Sequence, residues 1–394
     1  MNPTVYFVIN QNLLDGSAHA LYCFRHCWWL AQTRPESRVE LVFAGRSSPR
    51  EAHDFFHLPA LPNLAVTGLL AIRKPRNGRG ITLNAMFHWA AYWHLRRHAR
   101  AGDWLITASF PKLFSFLHKR DALRNTLKFA YEVHQLALLD HGKLTAKAQD
   151  ELDLLRRADT LFTTTRALAD TLRAHNLKQP LFNVGLACGF DPVQFPSRPP
   201  HPELFSLGYI GSFYREQGVE WLVREWPRIL QKLPLLRLEI AGGTPAEVAG
   251  MKAQAGGIAS PDSVHFHGAI PPSRIGEFIS SVDALVIPAL PEGRAPFVAF
   301  TKAYDYLGLN RPVIAADIPS ITEVMRPGLE AASFAAGNSQ SLTDALQKIY
   351  RSPETARSLV AAAALRAREL HWESRSRRFW TALDSGFSAG PKSA

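Results

Sequence analysis

LGYIGSFYREQGVEWLV, residues 207–223, runs from an apolar, β-prone segment through a glycine turn into a segment of helical period. A strand that enters a helix this way offers backbone N–H groups and the positive end of a helix to phosphate, although any tight strand-to-helix turn also uses glycine. The same order recurs on both sides. VYFVI (5–9), VELVF (39–43), LAVTGLL (64–70), DWLITA (from 103), LKFAYEV (127–133) and TLFTTT (160–165) are separated by longer helical segments. The alternation resumes with SLGYIG (206–211), LRLEIAG (236–242), VHFHG (264–268), ALVIP (284–288) and PVIAA (312–316). Strands alternating with helices specify parallel, doubly wound α/β sheets. The proline-rich LACGFDPVQFPSRPPHPELF lies between the two series and has little periodicity, so it marks a domain boundary. The expected organisation is two doubly wound domains, residues 1–195 and 196–372, followed by a segment 373–394 that holds a last helix and a disordered tail. Two such domains in tandem imply a cleft at the C-terminal ends of their strands, where open α/β sheets bind ligands.

Composition limits the partners. The 394 residues are 46% hydrophobic and 20% charged, as in a globular protein, and no run of roughly 18 or more apolar residues is present to span a bilayer. MNPTVYFVINQN has no basic leader and reads as the first strand, so a reducing, cytoplasmic setting is expected, and three cysteines suit that setting. Cys23 and Cys27, near His19 and His26, have helical spacing that could hold a metal, but ALYCFRHCWWLA is a dense apolar helix in which cysteine acts as a small hydrophobe. No metal site is assigned. The net charge of +11 favours an anionic partner, and IRKPRNGRG (72–80) and WHLRRHARAG (93–102) concentrate it beside aromatics. They form either a solvated basic face or a surface for anionic lipid or a polyanionic acceptor. No RNA-stacking platform or DNA-reading helix is recognisable, so nucleic acid is not an expected partner.

A second glycine turn, LPEGRAPFVAF (290–300), follows the strand ALVIP, with Pro296 suited to a helix's first turn. Gly293 permits close backbone approach, and Arg294 places a charge beside the N–H groups. In the helix expected from Pro296, Lys302 and Asp305 share one face. They form either an intrahelical ion pair or a divided site, with the lysine on a diphosphate and the carboxylate on ribose hydroxyls.

These residues carry a resemblance. GYIGSFYREQGVEWL is similar to the glycine turn of family 4 retaining glycosyltransferases, nucleotide-sugar enzymes of the GT-B fold. VHFHGAIPPSRIGEFISSVDALVIPAL and TKAYDYLGLNRPVIAAD resemble the two motif blocks that follow it there. CGFDPVQF (188–195) resembles the family's interdomain link, and YEVHQLALLDHGKLTAKAQDELDLLRRADTLFTTT its first-domain strand end. The resemblance covers most of residues 100–325. It implies a GT-B fold, with the final helix returning to the first domain. It also implies a donor site built from Gly211, Ser212, Gln217, Gly268, Ala269, Glu292, Gly293, Arg294, Ala295 and Asp305. Asp305 falls at the second acid of the family's E-x7-E motif, which holds the ribose. His134, Arg215 and Lys302 are implied as catalytic, and Gly16, Ser17 and Glu132 as lining the cleft near the acceptor. From the residues alone, His134 after FAYEV reads more simply as a core or surface histidine.

The pattern also departs from the family. Ser212 and Gln217 stand where arginine and lysine usually face the diphosphate, leaving Arg215, Arg294 and Lys302 as the available cations. Phe297 stands where the first acid of E-x7-E belongs, with Glu292 the nearest Glu-Gly pair. The resemblance implies transfer of a sugar from a nucleoside-diphosphate sugar, with UDP or GDP as the nucleotide, to a sugar, lipid-linked or polysaccharide acceptor. Retention at the anomeric carbon, no metal and no other cofactor are expected, at the cytoplasmic face of the membrane if the acceptor is lipid-linked. The rival readings are a nucleotide-sugar epimerase or phosphorylase on the same scaffold, and a catalytically silent binder of polyanions or membrane.

Overall fold

A computed structural model describes the chain except residues 1, 16, 72–83, 142–143, 197–203, 256–260, 272–273 and 389–394. It divides into two units, the first Met1–Thr164, Leu168–Gly185 and Trp372–Ala394, the second Thr165–Ala167 and Leu186–His371.

The first unit is built on seven parallel strands: β1 Val5–Ile9, β2 Val39–Ala44, β3 Leu64–Leu69, β4 Trp104–Ala108, β5 Lys128–Val133, β6 Thr160–Thr163 and β7 Leu181–Asn183. Their order is β3-β2-β1-β4-β5-β6-β7. β1, β2 and β4 are buried along their whole length, which is why VYFVI and WLITA read as continuous apolar runs without alternation. The helix Ala18–Thr33 lies beside the last helix, Trp372–Ser388: Trp380 donates from its indole to the Leu30 carbonyl at 3.1 Å, and Phe379 stacks on Phe162 with ring centroids 3.9 Å apart.

The second unit holds six parallel strands: β8 Phe205–Ile210, β9 Leu236–Ala241, β10 Val264–Gly268, β11 Ala284–Ile287, β12 Val313–Ala316 and β13 Ala332–Phe334, in the order β10-β9-β8-β11-β12-β13. The doubly wound parallel architecture expected from the alternation is the observed one. Strand order reverses between β1 and β4 in one unit and between β8 and β11 in the other, the places where such sheets leave a crevice beyond their strand ends.

Two details differ from the sequence expectation. The first unit's N-terminal part runs to Gly185 and not to position 195, because the link 188–195 packs into the second unit: Cys188 joins its core, the Phe195 carbonyl accepts from the Asn310 amide at 2.6 Å, and Gly189 donates to Asp305. The helix carrying Lys302 spans only Thr301–Asp305, continuing as a 3-10 turn through Gly308. Pro296 sits in an irregular turn instead of opening that helix.

Candidate functional site

In the second unit, both loops flanking the β8/β11 reversal carry candidate residues. After β8 the chain passes Gly211, whose φ is +154° and whose N–H donates to the Ala241 carbonyl at 3.0 Å. It makes a 3-10 turn, Arg215–Gln217, and enters the helix Val219–Lys232 through Gly218, at φ +73°. A side chain at Gly218 would collide with the Pro288 carbonyl, so the chain can make this turn beside the β11 loop only with glycine.

Lys302 reaches into this turn. Its Nζ donates to the Gln217 amide oxygen and to the Tyr209 hydroxyl at 3.2 Å, and lies 4.7 Å from the centre of the Tyr209 ring. The same hydroxyl donates to the Ser212 carbonyl at 2.5 Å, and the Tyr306 hydroxyl brackets Ile210 by accepting from its N–H at 2.8 Å and donating to its carbonyl at 3.2 Å. Burial pulls the Lys302 ammonium down to about 7, against the opposing pull of the Asp305 charge. The lysine's hydrogen bonds go to neutral acceptors, while the Asp305 charge still attracts it. A cation held by neutral hydrogen-bond partners, beside a glycine turn that leads into a helix, can meet an anion there. Gln217 suits this use. A lysine there would set a second cation against Lys302, whereas the amide oxygen orients it.

Asp305, half-buried, accepts from the Gly189 N–H at 3.2 Å, so the link residue and the carboxylate position each other. Gly268, at φ +67°, faces open space and accepts from the Gly242 N–H at 2.7 Å, and Ala269 after it is exposed. Ser212 is exposed. In the β11 loop, Glu292 pairs with Arg215 at 2.7 Å, both solvent-accessible, while Gly293 takes φ +53°. Arg294 is half-buried, and Ala295 is buried, its carbonyl accepting from the Ser320 hydroxyl at 2.6 Å. Arg215 and Glu292 line a recess of about 290 Å³ with Glu220, Trp221, Arg224 and Leu290. The structure thus joins Lys302 to Gln217 and Gly211, and joins Arg215 to Glu292.

In the first unit, β5 ends in Glu132, fully buried, and His134 follows just beyond. Arg375, equally buried on the last helix, ion-pairs with Glu132 at 2.5 Å and donates to His26 Nδ1 at 2.7 Å and to the Gly185 carbonyl at 2.9 Å. The Tyr22 hydroxyl donates to the same Glu132 oxygen. Burial alone would raise the Glu132 carboxyl, but Arg375 and then His134 hold it well below the usual range. Burial, with Arg375 beside it, lowers His26 to about 3, and burial with His134 beside it lowers His19 to about 4, so both rings are neutral. The His134 Nε2 is buried 3.5 Å from a Glu132 carboxylate oxygen, without a hydrogen-bond partner among the described residues. Glu132, fully buried and held by Arg375 and Tyr22, is not itself a lining group. Ser17 caps the helix Ala18–Thr33, its hydroxyl accepting from the Ala20 N–H at 3.1 Å. Gly16 lies outside the described residues. Cys23 and Cys27 are fully buried core residues, and among the described residues no group of three or more His, Cys, Asp or Glu is placed to hold a metal.

Sequence reasoning missed Tyr209, Tyr22, Arg375 and Gly189. Tyr209 reads as one more strand residue, and Arg375 as one member of the surface-like run ESRSRR. Only the packing distinguishes them.

The comparisons with known proteins bear on the fold. The chain superimposes on a sucrose-phosphate synthase from Thermosynechococcus elongatus with a TM-score of 0.74 at 17% identity, over 99% of this chain and 100% of that one. It superimposes on HepE of Anabaena, solved in complex with UDP, at 0.72 and 12%, over 98% and 100%. The lipopolysaccharide outer core galactosyltransferase WaaB gives 0.69 at 14%, over 97% and 99%. The fold is therefore GT-B. Within it, residues 205–352, which hold the Lys302 turn, match the family model of glycosyl transferases group 1. No curated protein matches the chain.

Proposed function

We propose that the protein moves a sugar from a nucleoside-diphosphate sugar to an acceptor hydroxyl, with retention of anomeric configuration. The observation that carries this reading is the enclosed Lys302 ammonium, held by Gln217 and Tyr209 against the Gly211 turn. As the bond from the anomeric carbon to the diphosphate breaks, negative charge collects on the departing phosphate oxygen. A fixed cation and backbone N–H groups that need no reorganisation stabilise that charge. The acceptor oxygen forms the new bond, and its proton passes to the leaving phosphate. Asp305 accepts from the ribose hydroxyls, and Arg215 and Arg294 lie in the loops available to the diphosphate or the donor sugar. His134, beside the buried Glu132, hydrogen-bonds the reacting sugar. With Lys302 neutralising the diphosphate, a metal is not required for departure of the leaving group.

UDP and GDP are the expected nucleotides, and HepE, whose fold this chain shares, was solved with UDP and with UDP-glucose. A thermal-shift panel of UDP, GDP, ADP and their sugar conjugates identifies the nucleotide, because a ligand of the native state raises its stability. Incubation of the responding sugar conjugate with sugar, lipid-linked and polysaccharide acceptors then yields free nucleoside diphosphate and an α- or β-glycoside matching the donor. Isomerised donor in the absence of acceptor would instead identify an epimerase.

A further inference from the structure

We infer that the helix Asn84–His98 in the first unit is a docking face for an anionic lipid bilayer. Its inward side is Phe87, His88, Ala91, Tyr92 and Leu95, all buried. A helix with one buried face ordinarily turns charged and small polar groups outward. Here the opposite stripe carries Trp89, 44% exposed, and Trp93, 59% exposed, one turn apart, and continues into Arg96 and Arg97, both exposed. The cations accompany the rings. The Arg96 guanidinium lies 5.7 Å from the Trp93 ring centre, and Arg120 lies 4.7 Å from that of Trp89 and 4.3 Å from that of Phe116.

Charge complementarity selects the partner. Among the described residues between Asp54 and Asp121 stand six Lys and Arg (Arg96, Arg97, Arg100, Lys112, Lys119 and Arg120) and a single acid, Asp103; the basic run 72–80 lies outside the described residues. That acid is buried, accepting from the Thr4 N–H at 2.8 Å and the Arg100 N–H at 2.9 Å, so it does not offset the outward charge. Among the described residues no carboxylate pairs with Arg96, Arg97 or Arg120; Arg96 donates to the Tyr92 hydroxyl at 3.1 Å. Tryptophan beside arginine on a convex helix suits the headgroup layer, where an indole keeps its N–H wet while its ring enters the apolar boundary and basic side chains meet lipid phosphates. A soluble polyanion would satisfy the arginines and leave the two indoles in water. The surface favours lipid for that reason, and the inference stands apart from the donor chemistry of the second unit.

The test is flotation of the full chain with vesicles of phosphatidylglycerol and phosphatidylcholine, compared with phosphatidylcholine alone. The wild type is expected to float with the anionic vesicles, less so at high salt, and to stay soluble with the neutral ones. Trp89→Ala with Trp93→Ala, and separately Arg96→Glu with Arg97→Glu, should each lower partitioning ~tenfold or more. The nucleotide-induced thermal shift should be unchanged in both, since these side chains lie in the other unit, and both should remain folded at the assay temperature. A wild type that remains soluble with anionic vesicles, or variants that float as it does, would overturn the inference. So would sedimentation showing that the tryptophan pair joins two copies of the chain.

Discussion

The ammonium of Lys302 occupies the space that a side chain at Gly211 would need. Gly211 is thus required twice, for its positive φ and for room beside the cation. Gly211→Ala is expected to displace the lysine and to weaken nucleoside-diphosphate binding by the worth of a charge-assisted hydrogen bond, about 1.5–3 kcal/mol, or roughly ten- to more than a hundredfold in Kd. Calorimetric titration of both proteins measures it.

Removing the lysine should separate stability from function. Lys302→Met deletes a desolvated charge whose hydrogen-bond partners are neutral, so the melting temperature should hold or rise while nucleotide affinity falls at least about tenfold. Parallel loss of both would show that the lysine serves packing.

The lowered Lys302 value gives a pH signature with a defined sign. The free protein carries this lysine at about 7, and a bound diphosphate would raise it. Binding therefore takes up a proton above that pH, and affinity should fall with rising pH by up to about tenfold per unit between 7 and 9. Folding responds in the opposite sense. The unfolded lysine, with its ordinary value near ~10.4, binds the proton across that range while the native one does not, so this residue makes stability rise with pH there. Lys302→Met should abolish both slopes, and titrations in buffers of different ionisation enthalpy count the proton.

The buried pair Arg375 and Glu132 makes a second, structural prediction. Arg375→Met leaves an uncompensated buried carboxylate and should cost about 3–5 kcal/mol at neutral pH. In the wild type the Glu132 value is depressed, so its stabilisation is complete above the unfolded carboxyl value of ~4.3 and fades as pH falls below it. In the variant, protonation relieves the penalty instead. The difference between the two proteins in urea unfolding should narrow as pH drops toward 4.

The strand-helix alternation was legible because eleven strands are β-prone runs of four to six residues between helical segments. The two it did not reveal, β7 (Leu181–Asn183) and β13 (Ala332–Phe334), are three-residue edge strands, too short to carry a period. Lys302 and Gly211 were visible as separate features, but their contact depends on how helix Thr301–Asp305 packs against β8, which no local pattern encodes. Pro296 misled for a related reason. Its fixed φ suits a helical first turn and an irregular turn equally, and the loop's tertiary bonds, such as Ser320 to Ala295, decide between them. Arg375 was hidden because nothing local separates a buried arginine from its exposed neighbours in ESRSRR.

The central claim is that the second unit binds a nucleoside diphosphate, with the carboxylate at 305 on the ribose. Calorimetric titration of UDP and of GDP into the wild type and Asp305→Ala tests it directly, with Asp305→Asn to preserve an acceptor for Gly189. The account predicts saturable binding of one nucleotide by the wild type and a loss of roughly tenfold or more in Asp305→Ala. Wild-type protein that binds neither nucleotide, or an Asp305→Ala variant that binds as tightly as the wild type, would contradict it.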